Sequence, residues 1–414
     1  MPARSQLLNR LTIPGLVNQP LPDRIGLADQ TAVLGRPRPQ YDPLGIRLGR
    51  FTIRPTISEG GVYDDNLLGR RKGSGSAGLQ TSGALEAVTD LGTNGVDVNL
   101  SADDIHYITG GRQFTNQSRT NYLAAVSAYQ DAGGGRVLVD ASAAQLNEAL
   151  TSLNFPGGSV PQTYQVEQVR LGYRTTPLLL VWEPFIRFTA DNYSNVAVAR
   201  GSLQGNFRNR NTLGGGVVGR YQLAERRNIV VSAEGFGSSY SQINPAIGSR
   251  DFTGATFLAG IEYGPPAFYQ FRALVGFEAR QFANRAFKGR TVPVAEAELV
   301  VSPTRRWTLT GTLTRRIDDS ADEGSGGFTY TGLRGQVDHE LRHDILLQGF
   351  AQVQDASYLQ DGRSETIVGG GAGATWLINR NWRLNGTYEY AHRSSNRSSP
   401  YDESVYLLRV GFGL

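Results

Sequence analysis

Four histidines, His106, His339, His343 and His392, are the first residues to weigh for chemistry in this 414-residue chain. His106 lies close to Asp103 and Asp104, and His339 stands between Asp338 and Glu340, so each has a carboxylate that could orient its ring. That pairing would suit a hydrolase, but no serine-based motif accompanies it and the chain has no cysteine. The sequence reads as no enzyme, with no catalytic residue and no cofactor. Gly214-Gly-Gly216 and Gly369-Gly-Gly-Ala-Gly373 lack the lysine-containing spacing of a phosphate loop and lead into no helix; mid-strand bends and close packing are the better reading. Asp64-Asp65-Asn66 gathers oxygens of the kind Ca²⁺ takes, yet two carboxylates are an incomplete shell, and no metal is assigned. Asp and Asn there can instead cap a loop by bonding nearby backbone amides.

A larger ionisable set shares one parity. Asp97, Asp103, Arg170, Arg174, Arg187, Asp191, Glu262, Arg272, Glu278, Arg280, Glu296, Glu298, Arg334, Asp338 and Arg409 alternate with apolar residues, which puts them on one face of β-strands. In Trp307, Leu309, Gly311, Leu313 the partners are four threonines; in Val96, Val98, Leu100, Ala102 they are Asp97, Asn99, Ser101 and Asp103. Such a face is the candidate lining of a pore, a mixed-sign constriction that screens solutes by size and charge. Most Tyr and Phe fall at the opposite parity, which speaks against a dedicated sugar slide.

The elements required to position that face repeat from residue 51 onward. Strands are expected near 51–65, 78–90, 96–108, 119–131, 135–146, 163–174, 183–194, 210–222, 228–240, 252–263, 268–282, 290–302, 306–316, 327–339, 343–354, 364–378, 382–392 and 403–414. Eighteen is even, as in a bacterial barrel with both termini in the periplasm; sixteen is the runner-up. About 12 residues at roughly 3.4 Å each, tilted near 40°, cover the apolar band. Tight turns such as 90–95, 131–135, 264–266, 302–305 and 379–381 alternate with longer polar loops, the asymmetry of periplasmic turns and outer loops. The last strand shows the two faces most plainly: Tyr406, Leu408, Val410, Phe412 and Leu414 are apolar and would close the barrel against lipid.

Composition agrees. Only 39% of residues are hydrophobic, with 51 Gly, 18 Tyr and 17 Phe. A barrel needs apolar side chains on only its lipid-facing half. The longest apolar run, Leu178 to Trp182, is far below the roughly 20 residues of a membrane-spanning helix. A formal charge of +4 is too small and too evenly spread to imply nucleic acid. MPARSQLLNR has no apolar h-region, so the sequence reads as a mature form without its signal peptide. Residues 1–50 carry recurring prolines and no strand period, and read as an extended periplasmic arm. Residues 51–414 form the outer-membrane barrel.

Around the first strand the residues become recognisable. Residues 36–49, RPRPQYDPLGIRLG, then Phe51, Pro55 and Tyr63-Asp64-Asp65-Asn66, resemble the putative β-barrel porin type 2 family of alphaproteobacterial outer-membrane proteins. The resemblance is sharp over about 36–68 and architectural beyond. It implies an all-β transmembrane antiparallel barrel, with porin-like transport or a part in surface-polysaccharide export.

Three functions follow from the lumen. The lead is passive diffusion of small hydrophilic solutes through an aqueous channel, since barrels of 16 to 18 strands leave one unless filled. Surface-polysaccharide export or assembly is the second, and a plugged barrel anchoring a cell-surface assembly the third. An arm folded back into the lumen would favour the third. The expected partners are outer-membrane lipid and lipopolysaccharide, the barrel-assembly machinery through the C-terminal strand, and a periplasmic partner for residues 1–50.

Overall fold

The computed structural model describes residues 32–153, 159–176, 179–198, 201–203, 205–243, 248–264, 268–322, 324–360 and 362–414. The turn expected at 264–266 and the arm before residue 32 fall largely or wholly outside these. Eighteen strands form the wall: β1 Phe51–Asp64, β2 Ser76–Asp90, β3 Asn94–Tyr107, β4 Arg119–Ala132, β5 Gly135–Glu148 and β6 Gln162–Thr175. They continue as β7 Leu180–Tyr193, β8 Arg210–Ala224, β9 Arg227–Tyr240, β10 Phe252–Tyr263, β11 Tyr269–Phe282 and β12 Arg290–Thr304. The last six are β13 Trp307–Asp318, β14 Phe328–Arg342, β15 Ile345–Tyr358, β16 Ser364–Leu377, β17 Trp382–Ser395 and β18 Tyr401–Gly413.

Each strand pairs antiparallel with the next, and β18 pairs back on β1 from Thr56↔Gly413 to Asp64↔Val405, so the sheet has no edge at the seam. Below the C-terminus a short strand, Ile46–Leu48, pairs with Phe51–Ile53 on the same side of β1 and extends the seam. Outside the wall, Val196–Val198 and Gly201–Leu203 make a small hairpin within the loop after β7.

Period-two patterning decides which face meets lipid. Tyr406, Leu408, Val410 and Leu414 are exposed on the outside, while Leu407 and Arg409 between them are buried. The same alternation exposes Ile186 and Phe188 on β7, Val275 and Phe277 on β11, and Trp307 and Leu309 on β13. Tyr63, Tyr406 and Tyr388 stand side by side, rings tilted, on the three neighbouring strands at the seam. Trp307 over His339, and Trp382 against Phe412, mark the periplasmic rim. Aromatic girdles of this kind suit both membrane interfaces.

The inner face is less uniformly polar than parity suggests. Phe185, Val218, Val230, Leu258, Leu274, Val292 and Val294 form a buried apolar sector on β7–β12. In the β10–β11 pair, Gly260 stands opposite Leu274 and Gly276 opposite Leu258. A Cβ at either glycine would strike the backbone of the facing strand, so the two glycines permit the close approach of this pair.

Candidate functional site

The fifteen charged residues singled out by parity alternate with the exposed apolar residues of their strands, and their polar contacts run mostly along the wall. Arg170 and Arg174 on β6 both bond Glu183 on β7, the latter at 2.9 Å. Arg280 bonds Glu278 at 2.7 Å, and Asp191 takes Arg210 at 2.8 Å. Arg272 faces Glu298 in register and lies close enough to act on the Glu296 carboxylate. Glu262 is 3.8 Å from Arg220. Asp97 accepts from Asn99, Asp103 from Gln80 and Ser82, and Asp338 from Gln336. Arg409 donates to Asn385 at 3.1 Å. Arg334 donates to Gln352 and lies 3.8 Å over the Phe350 ring. Gly371 on β16 lets that ring lie flat, because a Cβ there would meet it at 2.7 Å.

The glycines of β8 serve the same end. Arg187 on β7 reaches Glu234 on β9 across the intervening strand. Gly214 lies between them, and a Cβ there would stand 2.7 Å from the Glu234 carboxylate.

Sequence reading missed Glu183, Glu234 and a group at the outer mouth. Glu183 was hidden by a boundary, since β7 begins three residues before the expected start and Glu183 lies well inside it. The outer group has a visible signature. Tyr107, Tyr193, Tyr240 and Tyr358 end their strands, and Phe252, Phe328 and Tyr401 begin theirs, all at the outer rim. Six of the seven are buried, and they seat loops that fold inward. Tyr107 packs with Leu67, Leu68 and Phe114; Tyr358 and Phe328 pack with Leu153, whose carbonyl accepts from the Tyr358 hydroxyl at 3.2 Å.

Arginines lock these loops. Arg208, from the loop after β7, donates twice to Glu148 at 2.9 and 3.1 Å, bonds Gln162, and lies 3.7 Å over the Tyr193 ring. Asp319, the first residue after β13, accepts from Arg250 at 2.9 Å and from the Tyr240 hydroxyl at 2.6 Å. Arg210 lies 3.2 Å from the same oxygen. Burial would raise the Asp319 carboxyl, but Arg250, Arg210 and Arg208 together outweigh it and hold it below the usual carboxylate value.

The Tyr63-Asp64-Asp65-Asn66 motif fastens the seam. Asp64 accepts the Asn66 amide at 2.9 Å, and Asp65 accepts the Ser404 amide of β18 at 2.6 Å. The Asn66 side chain donates to the carbonyls of Arg70 and Asp402. These aspartates give oxygens to the chain's own amides, and among the described residues no group of three or more His, Asp or Glu is placed to hold a metal. Replacing the buried Asn66 with alanine leaves those two carbonyls short of a donor, at about 1–3 kcal/mol. The Asn66→Ala barrel is expected to lose its heat-modifiable, detergent-resistant form at a lower temperature than wild type on semi-native gels.

The histidines are scattered. His392 meets Asp402 at 2.9 Å on the exposed outer side of the seam, and His343 meets Glu340 at 2.8 Å near the periplasmic turn.

At the periplasmic mouth, residues 32–43 lie against inward-facing side chains. The Val33 amide donates to Thr308 Oγ1 at 2.9 Å, and Val33 is fully buried. Arg36 and Arg38 both bond Glu340, at the end of β14, the second at 2.9 Å. Arg38 also donates to the Val33 carbonyl, and its own amide is held by Asp42. The Pro39 carbonyl accepts from Arg380 at 3.1 Å, in the turn between β16 and β17. The segment therefore spans from the base of the seam to β13 inside the rim.

Between the two mouths, beneath the loops, is a cavity of about 350 Å³. Amides (Gln80, Asn121, Gln168, Gln352, Gln354), rings and charges of both signs line it.

A closed eighteen-stranded barrel with a lipid-facing apolar wall and a polar, mixed-charge lumen is an outer-membrane channel protein. Comparison with known families agrees: the chain belongs to the family described as Putative beta-barrel porin 2, whose model matches residues 38–412. It is thus a porin-like outer-membrane barrel for small solutes. Among solved structures it is similar to a BenF-like porin from Pseudomonas fluorescens Pf-5, at 12% identity over 89% of this chain and 100% of that one, TM-score 0.46. Pseudomonas aeruginosa OccK2 (OpdF) gives 12% identity over 89% and 98%, TM-score 0.46. The copper transporter OprC gives 11% and TM-score 0.45; the chain aligns over 86% of its own length and spans 63% of that protein. These likenesses are distant, and the assignment rests on the family match. No curated protein matches the sequence.

Proposed function

We propose that the channel passes small, uncharged or zwitterionic hydrophilic solutes by passive diffusion through the cavity under the outer loops. The observation that carries this is the pairing along the wall: Arg170 and Arg174 with Glu183, Arg187 with Glu234, Arg280 with Glu278. Opposite charges held side by side leave dipoles rather than a net field, so the lumen offers hydrogen bonds without strongly favouring either sign of ion. The fifteen parity-selected residues, with Glu183 and Glu234, are the proposed lining.

The test is current through the refolded full chain in a planar bilayer under a KCl gradient. Ohmic steps that reverse near zero potential are the expected result. Strong cation or anion selectivity would refute the paired-wall reading, and silence from a barrel proven folded, with residues 32–43 released as well as in place, would refute the diffusion channel. The segment at the periplasmic mouth keeps the plugged-barrel reading in view, and swelling of sugar-loaded liposomes separates the two.

A further inference from the structure

We infer that residues 32–43 form a strap that closes the periplasmic mouth, latched on Glu340 and able to release as a unit. The inference rests on the channel reading and adds regulation to it. The strap meets the barrel through side chains and single amides: Arg36 and Arg38 on Glu340, the Val33 amide on Thr308, Arg380 on the Pro39 carbonyl, and Asp42 beside Arg383. No strand ladder ties it down, since the β-pairing of the N-terminal region begins only at Ile46. It is therefore held far more weakly than the wall, where every strand carries a ladder along most of its length.

The strap is also internally braced. Arg38 bonds the Val33 carbonyl, Asp42 holds the Arg38 amide, and the Arg36 amide donates to the Ala32 carbonyl at 3.0 Å. Prolines at 37, 39 and 43 fix φ and limit the freedom the segment gains on release. A braced segment that joins no strand ladder moves as one body. The hinge falls at Gly45, whose φ of 75° lies in the left-handed region that glycine adopts without strain. Two guanidiniums converge on one carboxylate that is itself buried, so Glu340 is the attachment whose loss matters most.

The experiment compares the full chain with Glu340→Ala in single-channel recordings, and uses the cysteine-free background to tether the strap as Val33→Cys/Thr308→Cys. Loss of the latch is expected to raise open-state occupancy about tenfold. Oxidising the double-cysteine barrel is expected to hold it in the low-conductance state, and reductant to restore wild-type gating. Equal occupancy in wild type and Glu340→Ala, with both conducting, overturns the strap and leaves the channel intact. Silence in both, from folded barrels, overturns the strap as the closing element and the channel reading with it.

Discussion

Replacing Asp319 with alanine is expected to free the outer loops while leaving the barrel wall folded. One carboxylate there neutralises a cluster of buried arginines: Arg250 and Arg210 lie within 3.2 Å of its Oδ1, and Arg208 approaches to 3.9 Å. Removing one partner from a buried ion pair costs about 3–5 kcal/mol, because the cations remain desolvated. Glu148 and Asp191 still serve Arg208 and Arg210, but Arg250 would keep the carbonyls of Ser320 and Ser325 and the Phe207 and Tyr240 rings, with no carboxylate bonded to it among the described residues. The loop carrying those carbonyls then has little reason to stay folded inward. Cleavage by an aspartate-specific protease at Asp322, and larger, noisier current steps, are the expected readouts; unchanged proteolysis would refute the latch. The pH dependence follows from the lowered carboxyl of Asp319. A depressed value means the stabilisation is complete above the ordinary carboxylate value near 3.8 and is lost as pH falls through the lower, folded-state value. The loops should remain shut at pH 5 and open only in stronger acid, and Asp319→Asn should abolish that acid transition.

Much of the barrel was legible because its physics is local in sequence. Period-two alternation, fixed by the pleat, gave all eighteen strands within a few residues, and Tyr406, Leu408, Val410 and Leu414 declare the lipid face without reference to anything distant. The parity that the fifteen charged residues share was legible for the same reason. Their partners were not. Arg187 reaches Glu234 over a strand whose contribution is a missing side chain, and alternation cannot report an interaction that skips a strand. The outer mouth was harder still, since Arg208, Arg250 and Asp319 sit in loops, where no period marks which way a residue points. Only the aromatic residues at the outer ends of strands hinted at it. The expectation that Tyr and Phe mainly face outward overlooked this group: Tyr107, Tyr193 and Tyr240 face inward but seat loops, so they do not form a sugar slide. The Asp64-Asp65-Asn66 motif was visible as a loop cap, but its hold on the Ser404 amide and the Asp402 carbonyl needed the seam to be closed.

Gly276→Val is expected to prevent the barrel from forming, the largest effect of any single substitution considered. Gly276 stands on the inner face of β11 opposite Leu258, and a Cβ placed there would overlap the backbone carbonyl oxygen of Phe257 on β10. Gly260 stands in the same relation to Ala273 one turn of the pleat away, so the two strands approach too closely for any side chain at either site. Relief cannot come from a rotamer, because the obstacle is backbone. The ladder itself would have to part, losing hydrogen bonds that in hydrocarbon find no water to replace them. The cost exceeds the roughly 1–3 kcal/mol of ordinary overpacking. Valine is otherwise well suited to strands, so its failure here would come from the site and not from propensity. Gly235→Val on β9 provides the control: a Cβ there meets nothing within 4 Å, and this variant should refold as wild type does. The measurement is the fraction of heat-modifiable barrel after refolding into detergent. Recovery of Gly276→Val to the level of Gly235→Val would show that the β10–β11 pair tolerates a wider spacing than the close approach of its glycines requires.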